Sequence, residues 1–405
     1  MAKKDLTPDV LRARAAVGDV VRRTPVLSSR TISELCGVTV ALKAENLQRT
    51  GSFKLRGALS KLAALGDRCA AGVVTGSAGN HGQALAYAAR VRGVPCEVYM
   101  PVTAPIAKVE AASALGAEVR LAGEHVIDAL VAAEQRARET GLSMVHPFED
   151  LDVIAGQGTI GLELLEDVDD LAAVVVPIGG GGLASGIAIA VKEQRPEVKV
   201  IGVQAEACAP VPASLRAGEP VHVARTLTIA DGIAVKRPGE LTLGLIAKWV
   251  DDVVVVAEDD IAEAMVLLLE RAKLVVEGAG AVGVAALLAG RVGCPERGTV
   301  VALLSGGNVD PGLLVSIARR HETEAGRRLV LLTRVDDRPG ALARLLAVVA
   351  EHGANLVEVS HVREGLDLHV RETAIELVLE TRSRDDATEC VSAVVAAGYG
   401  VRVLR

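Results

Sequence analysis

The sequence predicts an α/β protein of two lobes, each built on a parallel sheet, followed by a small βαββαβ module. Three observations predict it. Apolar strand-like runs alternate with helical runs from Ala70 to Leu304, the pattern of βαβ units. Half of the residues are apolar but only 1% are aromatic, so the core is built from Val, Ala, Leu and Ile. That composition suits buried parallel strands under Ala-rich helices. After His321 the composition shifts, and the order of elements changes with it.

Thr7-Pro8-Asp9 is a helix-start signal, so an amphipathic helix is expected over Leu6 to Val26, ended by Pro25-Val26-Leu27-Ser28. Val38–Lys43 reads as a strand. Gly72–Thr75 is the next, with a helix over Gln83–Arg92. Cys96–Met100 precedes a helix over Lys108–Leu115, and Glu118–Leu121 precedes one over Val126–Thr140. Beyond Leu151 the alternation resumes with strand Leu171–Pro177, helix Leu183–Glu193 and strand Lys199–Val203. Strand Asp251–Val256, helix Asp259–Val275 and strand Thr299–Leu304 complete the second lobe. Residues 1–321 are thus expected to form one domain, with a smaller lobe over roughly 50–155.

Residues 322–328 are polar and read as a connector. The module over 329–405 has strands Leu329–Val335, Asn355–Val362, Glu372–Glu380 and Gly400–Leu404, with helices Gly340–His352 and Asp385–Ala397. This is the order of a ferredoxin-like split βαβ unit.

The formal charge of −7 is spread over interspersed acids and bases, which gives no basic block for nucleic acid. No run of eighteen apolar residues suggests a membrane span, and the first residues lack an apolar signal core. The six cysteines (Cys36, Cys69, Cys96, Cys208, Cys294, Cys390) show no CxxC or ligand spacing. They read as thiols in a reducing, cytoplasmic setting, and no metal site is expected.

Four strand–helix junctions carry the chemistry. In Gly51-Ser52-Phe53-Lys54 a turn opens a helix, and a lysine at its mouth beside an aromatic ring suits Schiff-base chemistry, since burial frees the amine. Gly179-Gly180-Gly181-Gly182-Leu183 ends an apolar strand and opens a helix, so its N–H groups and the helix dipole form a phosphate cradle. It lacks the Lys-Ser/Thr of a nucleotide P-loop. Ser77-Ala78-Gly79-Asn80-His81 either binds a carboxylate through backbone donors or simply caps a helix. His81 reads as a packed imidazole more readily than as a base. Ser305-Gly306-Gly307-Asn308 follows a buried strand, where parallel sheets bind ligands. A further small-residue junction, Glu277-Gly278-Ala279-Gly280, has one carboxylate that reads as a capping or surface group.

In order and spacing these motifs resemble the pyridoxal-phosphate enzymes of the tryptophan-synthase-β type, within them the threonine/serine ammonia-lyase and serine racemase group. The resemblance covers about residues 6 to 320. The tail is similar to ACT domains, amino-acid-sensing modules, through Asp336-Asp337-Arg338-Pro339-Gly340-Ala341-Leu342 and Gly353-Ala354-Asn355-Leu356.

The resemblance implies fold type II, with pyridoxal 5'-phosphate between the lobes. It implies that Lys54 carries the cofactor and Phe53 lies against its ring. Asn80 would bond the ring hydroxyl, Gly179–Leu183 the phosphate, and Ser305 would face the pyridine nitrogen. Ser77, Ala78, Gly79, Asn80 and His81 would take the substrate carboxylate. The implied reaction is β-elimination of L-threonine to 2-oxobutanoate and ammonia, with L-serine as a secondary substrate. The departing hydroxyl would take its proton from the cofactor phosphate.

Racemases of the group place a second serine in this turn; Ala78 stands there, so racemisation should be weak. Their divalent-cation site uses acidic side chains where this chain has Gln204 and Pro210. The tail implies an amino-acid effector such as isoleucine or valine, near Gly340 and Asn355, and a homodimer or homotetramer. Alternatives are a serine-preferring dehydratase or racemase, a β-replacement synthase, and a catalytically silent amino-acid-binding regulator.

Overall fold

The computed structural model describes residues 8–224, 227–293, 295, 297–363 and 368–404. Cys294 and Met1–Thr7, on which readings above rest, lie outside the described residues. The chain divides into two compact units, residues 1–309 and 310–405.

The first unit holds two sheets. The strands in chain order are β1 (Val26–Ser28), β2 (Thr39–Lys43), β3 (Val73–Gly76), β4 (Cys96–Met100), β5 (Glu118–Leu121), β6 (Ser143–Met144), β7 (Leu171–Pro177), β8 (Lys199–Ala205), β9 (Asp252–Val256) and β10 (Thr299–Leu303). The larger sheet runs β1-β2-β10-β7-β8-β9, parallel except for β1. The smaller runs β5-β4-β3-β6, all parallel. Central strands β7 and β10 are buried almost throughout, because helices cover both faces, and so they read as continuous apolar runs.

The first helix is shorter than the sequence suggests. Asp9 caps it by accepting from Arg12 N–H, but it spans only Val10–Val17, and Val26–Ser28 pairs with β2 as an edge strand. Helix Leu151–Asp167 escaped the sequence reading because Gly156, Gly158 and Gly161 dilute its signal. Those glycines serve packing: a methyl at Gly158 would stand 2.7 Å from Gly186 O of helix Gly182–Gln194. The helix expected to reach Val275 stops at Leu267 and passes through a π turn, Leu268–Ala272, into a left-handed Lys273 (φ 60°). The chain is thereby released to run extended to Glu277.

The second unit contains β11 (Arg328–Asp336), β12 (Asn355–Val362), β13 (Glu372–Glu380) and β14 (Val401–Leu404), in the antiparallel order β12-β13-β11-β14. Helices Ala341–Glu351 and Arg384–Ala396 cover a core of Leu331, Leu345, Ile375, Leu377 and Val394. This is the expected ferredoxin-like arrangement. Helix Pro311–Glu324 occupies part of the segment read as a connector, and β11 begins at Arg328. Cys69, Cys96 and Cys390 are buried thiols. Among the described residues no helix is long and apolar enough to cross a membrane.

Candidate active site

Lys54 is the first residue of helix Lys54–Leu65, and backbone pairing fixes the turn before it. Phe53 N–H donates to Ser305 O at 3.1 Å, and Ser52 bridges Gly306 in antiparallel fashion. The lysine turn and the end of β10 are therefore joined main chain to main chain. The Lys54 amine lies 5.1 Å from the Phe53 ring centroid and donates to Pro147 O at 3.0 Å. Burial lowers its pKa to about 8, against the opposing pull of Glu277.

Two residues further along, Arg56 is buried without any loss of charge. Glu45 accepts from it at 2.9 and 2.8 Å, Glu163 at 2.6 and 3.0 Å, and Thr159 Oγ1 at 3.1 Å. Lys43, also buried, donates to Glu163 at 2.6 Å and to Thr24 O at 2.7 Å. The clamp ties β2, the turn after it, the lysine helix and helix Leu151–Asp167 together. Sequence reasoning missed it, since its members are scattered along the chain and only folding pairs them.

The turn Ser77–His81 joins β3 to helix Asn80–Arg92. Ser77 Oγ accepts from Gly79 N–H at 3.3 Å. Asn80 is not a cap: its Nδ2 donates to Glu277 Oε1 at 2.8 Å, and its Oδ1 accepts from Asn308 Nδ2 at 2.7 Å. Asn308 also donates to Thr50 O at 2.9 Å. The His81 imidazole turns away from the turn, into the sheet, with Nε2 donating to Val145 O at 3.0 Å. Burial, then the Lys54 charge, lowers its pKa to about 3, so it stays neutral.

Glu277 corrects the reading of a capping or surface group. It occupies the N-cap position of helix Gly278–Leu288, but its side chain makes no cap bond and is buried beside Asn80. Burial, with Asp231 adding to it, raises its pKa to about 7. No local signal separated it from an ordinary cap; Gly306, where a methyl would stand 2.3 Å from Glu277 Oε1, leaves the room that admits the carboxylate.

The glycine loop follows β7 and opens helix Gly182–Gln194. Gly181 has φ +97°, a left-handed conformation that favours glycine. A methyl on Gly180 would overlap the Phe148 ring. Among the described residues, no protein group accepts from the N–H groups of Gly179 to Leu183. Five N–H groups without a protein acceptor at a helix start, in largely buried surroundings, fit an anion such as a phosphate. Ser305 is buried at the end of β10. Gln204, at the end of β8, is also buried: Nε2 donates to Ile178 O at 3.2 Å and Oε1 accepts from Val211 N–H at 2.9 Å.

The segment after β6 was not singled out in the sequence, yet it closes the site. His146 Nδ1 accepts from Glu149 N–H at 2.9 Å and from Phe148 N–H at 3.3 Å, and its ring meets Phe148 edge-on at 4.7 Å. Burial, then the Lys54 charge, lowers the His146 pKa to about 4. Glu149 in turn accepts from Leu241 N–H at 2.6 Å and Thr242 Oγ1 at 3.0 Å. The loop is thus anchored to both lobes.

A lysine of lowered pKa, a buried anion cradle and a parallel-sheet strand end in one site define an enzyme that works through a phosphate-bearing carbonyl cofactor. Residues 17–306 match the family described as pyridoxal-phosphate dependent enzyme, and residues 329–395 match the ACT domain. An L-threonine ammonia-lyase of Thermotoga maritima is 47% identical over 398 residues, covering 98% of each chain. Among solved structures, maize serine racemase superposes with a TM-score of 0.73 at 36% identity, over 78% of this chain and 97% of that one. The processed form of threonine deaminase isoform 2 from Solanum lycopersicum gives a TM-score of 0.73 at 35% identity, over 76% and 91%. The chain belongs to the pyridoxal-phosphate dependent enzyme family, in its fold type II branch, and carries a C-terminal ACT domain.

Proposed function

We propose that this chain is a threonine ammonia-lyase, converting L-threonine to 2-oxobutanoate and ammonia, with L-serine to pyruvate as a slower reaction. The observation that carries the reading is the pairing of an amine of lowered pKa with an anion cradle across the short Pro147–Phe148 segment. The 47% identity to an L-threonine ammonia-lyase runs through both domains and supports it.

Pyridoxal phosphate, when bound, supplies a conjugated ring that draws electrons from the Cα of an attached amino acid. The protein's residues do the rest. The N–H groups of Gly179–Leu183 would hold the phosphate, Phe53 would lie against the ring, and Asn80, fixed by Asn308 and Glu277, would bond the ring hydroxyl. Ser305 would meet the ring nitrogen; a hydroxyl, unlike a carboxylate, would not hold that nitrogen protonated, which favours loss of a β substituent over amine transfer. The backbone of Ser77 to His81 takes the substrate carboxylate. Lys54 Nζ, uncharged above about pH 8, takes the Cα proton. Ala78 offers no proton from the opposite side, which argues against a racemase.

The ACT domain binds an amino acid such as isoleucine or valine near Gly340, which is left-handed at φ +84°, and Asn355, and so regulates the reaction. The exposed edge strand β12 offers a pairing surface for a homodimer or homotetramer in the cytoplasm. One assay tests the whole reading: keto acid release from threonine and from serine, with and without isoleucine and valine. Release from serine with none from threonine overturns the threonine assignment.

A further inference from the structure

The chain has two phenylalanines, and both lie at the Lys54 site. Phe53 stands beside the amine. Phe148 packs on the glycine loop so closely that a methyl on Gly180 would overlap its ring, and its own backbone lies 3.1 Å from where a methyl on Gly182 would stand. The residue before it, Pro147, accepts the Lys54 amine at 3.0 Å. One dipeptide therefore spans the distance from the amine to the anion cradle.

We propose that Phe148, backed edge-on by His146, is the specificity-determining wall that receives the γ-methyl of threonine and sets the preference for threonine over serine. This rests on the proposed lyase reading. A substrate held where the Lys54 amine now stands, with its β-hydroxyl toward the cradle, would bring its β-carbon beside Pro147–Phe148, because that dipeptide reaches from the one to the other. The surface there is an aromatic ring, half-buried and with no hydrogen-bonding group to offer the hydroxyl. It favours the substituent that threonine has and serine lacks. His146 does not compete as a charged group: its Nδ1 is occupied by two backbone N–H groups and the ring is held neutral.

The ring is also rigidly carried. Glu149 is held by Leu241 and Thr242, while Asp150 accepts from Asp152 N–H at 2.9 Å and pairs with Lys61 at 2.6 Å. With its neighbours held in this way the ring would keep its place when the smaller substrate binds, and serine would leave unfilled space beside it. One methyl group in an apolar pocket discriminates by about 10- to 200-fold.

The test uses the cofactor-loaded chain, Phe148→Ala and Phe148→Leu. The ratio of kcat/KM for threonine to that for serine is expected to fall about tenfold or more in Phe148→Ala, chiefly through KM for threonine. Phe148→Leu, which keeps an apolar wall, retains most of the ratio. A binding arm needs no turnover: L-2-aminobutyrate, which carries the methyl, is compared with L-alanine by the change each makes in the cofactor absorption. The intact chain should favour aminobutyrate, and Phe148→Ala should erase the difference. An unchanged ratio and an unchanged aminobutyrate preference, with thermal unfolding of the variants like that of the parent, overturn the proposal. Absence of keto acid from both substrates overturns the lyase reading instead, while the binding arm still decides on Phe148.

Discussion

Lys54 and Arg56 are two residues apart on one helix and both cationic, Arg56 fully buried and Lys54 half-buried, yet their surroundings do opposite things to them. Arg56 is met by two carboxylates, and its pKa is raised: Glu45 and Glu163 overcome the desolvation. Glu45 is correspondingly lowered, with Arg56 outweighing its own burial. Among the described residues Lys54 meets a backbone carbonyl and the Phe53 ring but no paired carboxylate, so desolvation outweighs the pull of Glu277 and its pKa falls to about 8. The difference teaches that the depth of a charge says little about its chemistry. What matters is whether its counter-charges went inside with it. The paired cation makes a scaffold, and the unpaired one makes a reagent.

The largest effect should come from removing the reagent. Lys54→Ala is expected to lower keto acid release by about 10⁴-fold, because it removes the group that moves the Cα proton, and to abolish the cofactor's visible Schiff-base absorption. Retention of that absorption band breaks the assignment. Removing one member of the scaffold should act on stability instead. Glu45→Ala strands Arg56 with a single strong partner and should cost about 3–5 kcal/mol, read as a fall in the urea midpoint. Losing activity without any fall in stability would mean that the clamp is no clamp.

A pH titration sharpens the same contrast. An exposed lysine holds its proton to about pH 10.4, whereas folded Lys54 releases it near 8. Between those values the unfolded chain binds more protons, so stability of the cofactor-free protein should rise with pH over that window. Lys54→Met should flatten the rise. Cofactor capture by the same cofactor-free protein, which needs the uncharged amine, should quicken as pH passes about 8; a midpoint near 10.4 would contradict the lowered pKa. The smallest expected effect is at Ala78. Ala78→Ser places a hydroxyl on the opposite side of the site and should yield detectable inversion at Cα, L-serine to D-serine and L-threonine to D-allo-threonine, measured as deuterium-labelled D product in heavy water, with elimination within a few-fold of the parent.

The two cations were not equally legible in the sequence. Lys54 announced itself through the turn Gly51-Ser52-Phe53 and through three companion junctions, all local patterns at strand–helix boundaries. The strands β7, β8 and β10 were legible for the same reason, since an apolar run bounded by glycine or a charged residue is a local feature. Arg56, Glu45, Lys43 and Glu163 form one object only after β2 and helix Leu151–Asp167 have packed, and no spacing encodes that. Glu277 was misjudged because a carboxylate before Gly-Ala-Gly has the look of a cap, and its burial follows from the extended run that the π turn releases. His146 to Glu149 carried no pattern at all; their place is set by bonds to residues some ninety positions away.

The bridge between Ser52 and Gly306, with Phe53 N–H on Ser305 O, has a consequence for how such a site changes its trade. Main chain, not side chains, sets the spacing between the amine-bearing residue and the one at the strand end. Substitution at Ser305 can therefore alter the polarity offered there while the reach of Lys54 stays the same. The scaffold behaves like a fixed tool holder, in which a different bit alters the cut and leaves the bench as it was.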